Sequence, residues 1–324
     1  MSAVTARIGT LQRKAPLVQL AVLVGLFVYG SWTIAGFTES QSVRSMLVLA
    51  ALLGFAAAGQ TLVILIGALD FSVPGLIVLG AVMISELCGS QGWPFLPAFL
   101  LVVLICGLTG TAVGYSCHRW QISPIIVTLG VSAIAAGAVQ VWTNSDLTGA
   151  PPGFLTDLVA ANGTTFGFSI SPIVVIWILF TIAMAVFLHR TRFGRKVYAT
   201  GANPYAAEFA LVKTRRVWTA LFCVSAVLSG IVGVLLAGFS GADATLGDPY
   251  LFQGLTAVIV GGTAFMGSRG DYTYTAIGAL ILTVLTTIFV GLGWSLGIQQ
   301  IIFGALILVV VAGYGRETRL RDRI

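Results

Sequence analysis

Arg190-Thr-Arg-Phe-Gly-Arg-Lys-Val-Tyr-Ala-Thr-Gly-Ala-Asn-Pro-Tyr-Ala-Ala-Glu-Phe-Ala-Leu-Val-Lys-Thr-Arg-Arg216 is the longest polar, basic stretch in a chain built otherwise of apolar runs. Basic loops mark the cytoplasmic side of a membrane protein, so this stretch orients everything around it. It also carries a helix start signal. Asn203 suits an N-cap, and Pro204 suits the first helical position, where its missing N–H is not needed. The spacing predicts a helix from about Pro204 to about Val212, with Tyr205, Phe209 and Val212 on one side. One reading is a docking element that fills a partner's groove. The other is a positive-inside loop that happens to contain a helix, and spacing alone leaves both open.

Outward from this stretch the composition is that of a bilayer protein. Charged residues are 9% of the chain and hydrophobic residues 57%, against about 25% charged in soluble domains. The net charge of +6 does not indicate nucleic acid. Lys and Arg cluster in loops and tails with no aromatic interleaving, the pattern of topology signals and contacts with anionic lipid. Cys88, Cys106, Cys117 and Cys223 form no CxxC pair, so neither a disulfide framework nor a metal site is expected.

Ten apolar runs follow at 17–35, 43–66, 75–89, 95–116, 124–142, 171–189, 217–238, 251–266, 273–292 and 298–314, several of them short for an upright span. They predict an all-α polytopic bundle, a single transmembrane domain over residues 1–324 with some broken helices. With the N-terminus inside and ten crossings, the inner segments hold sixteen of the seventeen Lys and Arg, all except Arg44. Both termini and the loop 190–216 are then cytoplasmic, and 143–170 is the main periplasmic loop.

No catalytic constellation is found. The glycine-rich run Gly261–Gly270 lacks the lysine of a nucleotide-binding loop, there is no HExxH, and His118 and His189 sit at span ends. Voltage-sensor arginines, a selectivity-filter motif and a chain of intramembrane carboxylates are also missing, which disfavours a secondary carrier. Asp70 is therefore conspicuous in Gly67-Ala-Leu-Asp-Phe-Ser-Val-Pro-Gly75, where glycine and proline interrupt helix geometry. It either lines a path or holds the break, or it is an ordinary loop residue capping the next helix. Gln60 is a polar residue in an apolar run, suited to the same cavity or to bonding between helices. An internal echo links Gly59-x-Thr61-x-Val63-Ile64-x-x-Gly67 to Gly254-x-Thr256-x-Val258-Ile259-x-x-Gly262, an offset that repeat-built transporters would produce.

Four segments in order resemble the ribose-type ABC sugar permeases: Gly59-Gln-Thr-Leu-Val-Ile-Leu-Ile-Gly-Ala-Leu-Asp-Phe-Ser-Val73, Pro124-Ile-Ile-Val-Thr-Leu-Gly130, 192–207, and 257–270. The chain departs from that pattern at Ala210-Leu-Val212, at Leu251 and Gln253 where acids are common, and at Ser268 in place of a glycine. The resemblance implies the inner-membrane permease subunit of an ATP-driven importer for a monosaccharide or related polyol, with no cofactor of its own. It implies a cytoplasmic ABC ATPase, a periplasmic sugar-binding protein and a second permease subunit, identical or paralogous, as partners. A branched-chain amino acid permease is the related alternative. The expected ATPase-coupling helix comprises Gly201, Asn203, Pro204, Tyr205, Ala206, Ala207, Glu208 and Phe209. The expected translocation path or helix break comprises Gln60, Thr61, Asp70, Ser72, Gln253, Gly261, Gly262 and Thr263.

Overall fold

The structure is a computed structural model that describes residues 16–264 and 267–318. Both chain ends, with their expected cytoplasmic placement, lie outside the described residues. Every expected apolar run becomes a helix: α1 (Leu17–Thr33), α2 (Ser40–Leu65), α3 (Val73–Ser85), α4 (Phe95–Trp120) and α5 (Pro124–Thr143). After a short α6 (Gly153–Val159) come α7 (Pro172–Arg190), α8 (Arg192–Ala202), α9 (Pro204–Phe209) and α10 (Thr214–Ser240). α11 (Asp248–Val260), α12 (Tyr272–Gly291) and α13 (Leu296–Thr318) complete the series. Proline in the first turn of α3, α5, α7, α9 and α11 presets the backbone for helix at a position where no N–H is needed.

Among the described residues, seven helices are long and apolar enough to cross a membrane: α2, α4, α5, α7, α10, α12, and α3 continued through the π-turn Glu86–Ser90. α2 is the centre of the bundle, with 89% of its apolar window buried, whereas α5 has 17% of its window buried and turns most of its surface outward. Close packing around the centre uses small residues, as expected where lipid supplies no hydrophobic drive between helices. A Cβ added at Gly233 of α10 would lie 2.0 Å from the Ile77 carbonyl oxygen of α3.

Two expectations are corrected. The run 251–266 is not a full span: α11 has 13 residues, about 20 Å at ~1.5 Å per residue, against a hydrocarbon core of ~30 Å. The helix expected over 204–212 ends at Phe209, and a second helix that the spacing did not single out, α8, precedes it. Leu211, with φ of 60°, breaks the run beyond Phe209.

The internal echo has a structural counterpart. At the end of α2, Gly67 has φ 76°, its N–H donates to Ile64 O (2.8 Å), and the Ala68 N–H donates to Val63 O (3.2 Å). At the end of α11, Gly262 has φ 98°, its N–H donates to Ile259 O (2.9 Å), and the Thr263 N–H donates to Val258 O (3.1 Å). This is the same glycine-centred helix stop twice, bonded at matching positions. Thr61 and Thr256 even make the same hydroxyl bond, to Ala57 O (2.7 Å) and Phe252 O (2.6 Å).

The left-handed backbone at Gly262 is costly for any residue with a Cβ. Gly262→Ala should lower stability by about 1–2 kcal/mol, read as the melting point of purified protein in detergent. Gly25→Ala in α1, where an added Cβ meets open space, should leave it unchanged or raise it.

Candidate translocation and coupling site

The break between α2 and α3 is built around Asp70. One carboxylate oxygen accepts the Ser72 N–H (2.9 Å) and hydroxyl (2.5 Å), and the other accepts the Ser225 hydroxyl of α10 (2.6 Å). Hydroxyls of α5 satisfy the start of α3: Thr128 Oγ1 accepts the Phe71 N–H and Ser132 Oγ accepts the Gly75 N–H, both at 3.0 Å. Asp70 and Ser72 bond to each other within the break and Asp70 also to α10, and neither residue lines the cavity described below.

Close by, the Ser268 N–H donates to Leu65 O (3.0 Å), and a Cβ on Gly201 would lie 1.9 Å from that same oxygen. α8 thus rests directly on the backbone of the α2–α3 break. Tyr198 of α8 donates to Gly270 O (2.8 Å); burial, then Asp271, pushes its hydroxyl up to about 12. Asp271 caps α12 through the Thr273 N–H (3.0 Å) and pairs with His189 of α7 (2.5 Å). Gly261, Gly262 and Thr263 belong to this same end of the molecule, and the Thr263 hydroxyl is buried with no hydrogen-bond partner among the described residues.

Asn203 caps α9, its Oδ1 accepting the Ala206 N–H (3.0 Å). The side chains that α9 and its exit turn present outward are Tyr205, Phe209 and Leu211, at 78%, 89% and 90% exposure. Ala207 is buried, and Val212 packs against the core, so neither belongs to a partner-facing surface. Glu208 accepts the Thr214 hydroxyl.

The other expected path residues disperse. Thr61 bonds Thr275 of α12 (3.0 Å). Gln60 is buried against Gly254 with neither amide atom bonded within the chain. Gln253 alone reaches a cavity, one of about 770 Å3 at the opposite end of the bundle between α2, α10, α11, α12 and α13. Its polar lining comprises Ser42, Ser45, Ser240, Asp243, Thr245, Asp248, Tyr250, Thr283, Thr286, Thr287, Gln299 and Gln300 with Gln253, and among the described residues no Lys or Arg lines it. Asp243 is held below the ordinary range by the Thr245 hydroxyl and N–H, whereas burial and then Asp243 push Asp248 up. The hydroxyls at 283, 286 and 287 fall on one face of α12, a polar stripe that the i, i+3, i+4 spacing of these threonines records inside an apolar run.

If Asp70 is a structural tie, removing one of its acceptors should cost stability. Asp70→Asn should lower the melting point by the equivalent of about 1–3 kcal/mol, and Ser225→Ala should do the same to a smaller extent. A full-strength fold with lost transport in Asp70→Asn would instead place the carboxylate on the path.

A sequence family described as the branched-chain amino acid transport system / permease component matches residues 42–311. The ribose import permease protein RbsC of Bacillus subtilis (strain 168) is 30% identical over 314 residues, 94% of this chain and 92% of that protein. The fructose import permease protein FrcC of Rhizobium meliloti is 30% identical over 312 residues, 91% of this chain and 84% of that one. The autoinducer 2 import system permease protein LsrD of Enterobacter sp. (strain 638) is 32% identical over 270 residues, 81% and 80% of the two chains. No solved structure matches. Helical bundle, polytopic composition and sequence agree, and the chain belongs to this family of multi-pass ABC-transporter permease components, which carry no catalytic function of their own.

Proposed function

We propose that the chain is the membrane-spanning subunit of an ATP-driven importer that passes a monosaccharide or a related polyol inward. The observation that carries this reading is the cavity at the acidic end, whose neutral hydroxyls and amides match the donors and acceptors of a polyhydroxylated solute. Relatives named for ribose and fructose import support the same class. The family description names amino acids, but a cavity with two aspartates and no cation is poorly suited to an amino-acid carboxylate. The second half of the reading is at the basic end. There a cytoplasmic ATPase receives Tyr205, Phe209 and Leu211, and its closure reaches the α2–α3 break through Gly201 and Leu65. A sugar-binding protein delivers solute to the acidic end, and a second permease subunit completes the path.

Uptake of a panel of labelled sugars, with the co-encoded ATPase and binding protein present, tests the proposal. Gln253→Leu should lower uptake of the accepted sugar and leave assembly intact. Phe209→Asp should abolish both ATPase co-purification and uptake while the protein stays in the membrane. Uptake of leucine but no sugar, or uptake that survives ATP depletion and fails with the ion gradient, would overturn it.

A further inference from the structure

A second cavity, of about 630 Å3, lies between α4 and α5, with Leu76 and Leu79 of α3 behind it. The helices that flank it turn apolar side chains outward: Leu108 is 62% exposed on α4 and Ile134 72% on α5. Ile105, Val113, Val131, Ile134 and Ala138 form its walls. The threonine and serine hydroxyls in the lining are already bonded to their own helix, Thr109 to Ile105 O (2.8 Å) and Ser116 to Val113 O (3.0 Å). Such a space offers water few partners and suits hydrocarbon.

Its mouth at the basic end has the opposite character. Tyr115 and Trp120 of α4 line that end, and the Arg215 guanidinium carbon sits 5.6 Å from the Tyr115 ring centre. Arg119 is adjacent to Trp120 in sequence, and with Arg215 it walls an adjoining recess. Among the described residues neither arginine is in an ion pair with a carboxylate. The acid of that recess, Glu208, is taken up by Thr214 and lies 3.9 Å from His118. α5 also begins here, with Val127 in the lining and no side-chain cap bond from Ser123, so its positive end adds to the field.

We propose that this cleft is a binding site for an anionic phospholipid of the cytoplasmic leaflet. One acyl chain fills the space between α4 and α5, the phosphate sits between Arg119 and Arg215, and Trp120 marks the interface. Glu208 and Leu211 border the same recess, so the headgroup lies beside the coupling helix α9. The assignment holds whatever solute the permease carries.

The test is the melting of the purified full chain in neutral detergent with four additives: long-chain phosphatidylglycerol, phosphatidylcholine of the same chains, dihexanoyl phosphatidylglycerol, and inorganic phosphate. Long-chain phosphatidylglycerol should stabilise strongly and the other three weakly, because the site needs both charge and tail. Arg119→Gln with Arg215→Gln should weaken that response about tenfold or more, as the loss of two cations near an anionic headgroup implies. Equal stabilisation by phosphatidylcholine or by phosphate alone would overturn the proposal on the unmodified protein, without reference to any variant. An unchanged response in the double variant would do so as well. Disulfide cross-linking of two Ile134→Cys copies in native membranes would assign the cleft to a second copy of the chain instead.

Discussion

A single peptide carbonyl, that of Leu65, is the point on which the basic end of the molecule depends. It accepts the Ser268 N–H, lies under Gly201 of α8 where a Cβ would be 1.9 Å away, and lies 3.1 Å from the Cβ position of Gly267. Three segments far apart in sequence therefore meet backbone to backbone, which only residues without a Cβ permit. The last turn of α2, the helix before the exposed α9 and the loop after α11 must shift together or not at all. Packed contacts of this kind are not continuously deformable, so a push on α8 has few ways to be absorbed before it reaches the helix break.

The two breaks are secured in the same way. After each glycine stop an aspartate bonds the N–H two residues on, Asp70 to Ser72 and Asp271 to Thr273. Each then reaches across to another helix, Asp70 to Ser225 on α10 and Asp271 to His189 on α7. Polar groups near membrane depth need internal partners, and here those partners fix where irregular backbone is allowed. The Gln60 amide, buried against Gly254, and the Thr263 hydroxyl are exceptions, with no partner among the described residues.

The candidate site was legible where a residue's role depends on its neighbours in sequence. The Asn203-Pro204 start, the glycine stops at 67 and 262, and the break around Asp70 all follow from local backbone chemistry. It was not legible where the role depends on which side of a helix faces what. Ala207 and Val212 were grouped with Tyr205 and Phe209, yet Ala207 is buried in the chain's own core and Leu211 stands outward in place of Val212. Gln253 was grouped with Gly261 and Thr263, yet Gln253 lines the cavity whereas Gly261 and Thr263 lie beyond the end of α11 and do not.

By itself the sequence determined a membrane protein of many helices, the family resemblance and the places where helices stop. Those properties come from composition, loop charge and single-residue φ preferences, which act over a few residues. Only the tertiary structure decided that the helix of the run 251–266 stops at Val260 after 13 residues, and that the hydroxyls of α12 share a cavity with Asp243 and Asp248. It also decided that Asp70 ties α3 to α10 without lining that cavity. Each of these depends on which distant backbone a helix face meets. In a chain whose faces are nearly all apolar, no local pattern records that choice.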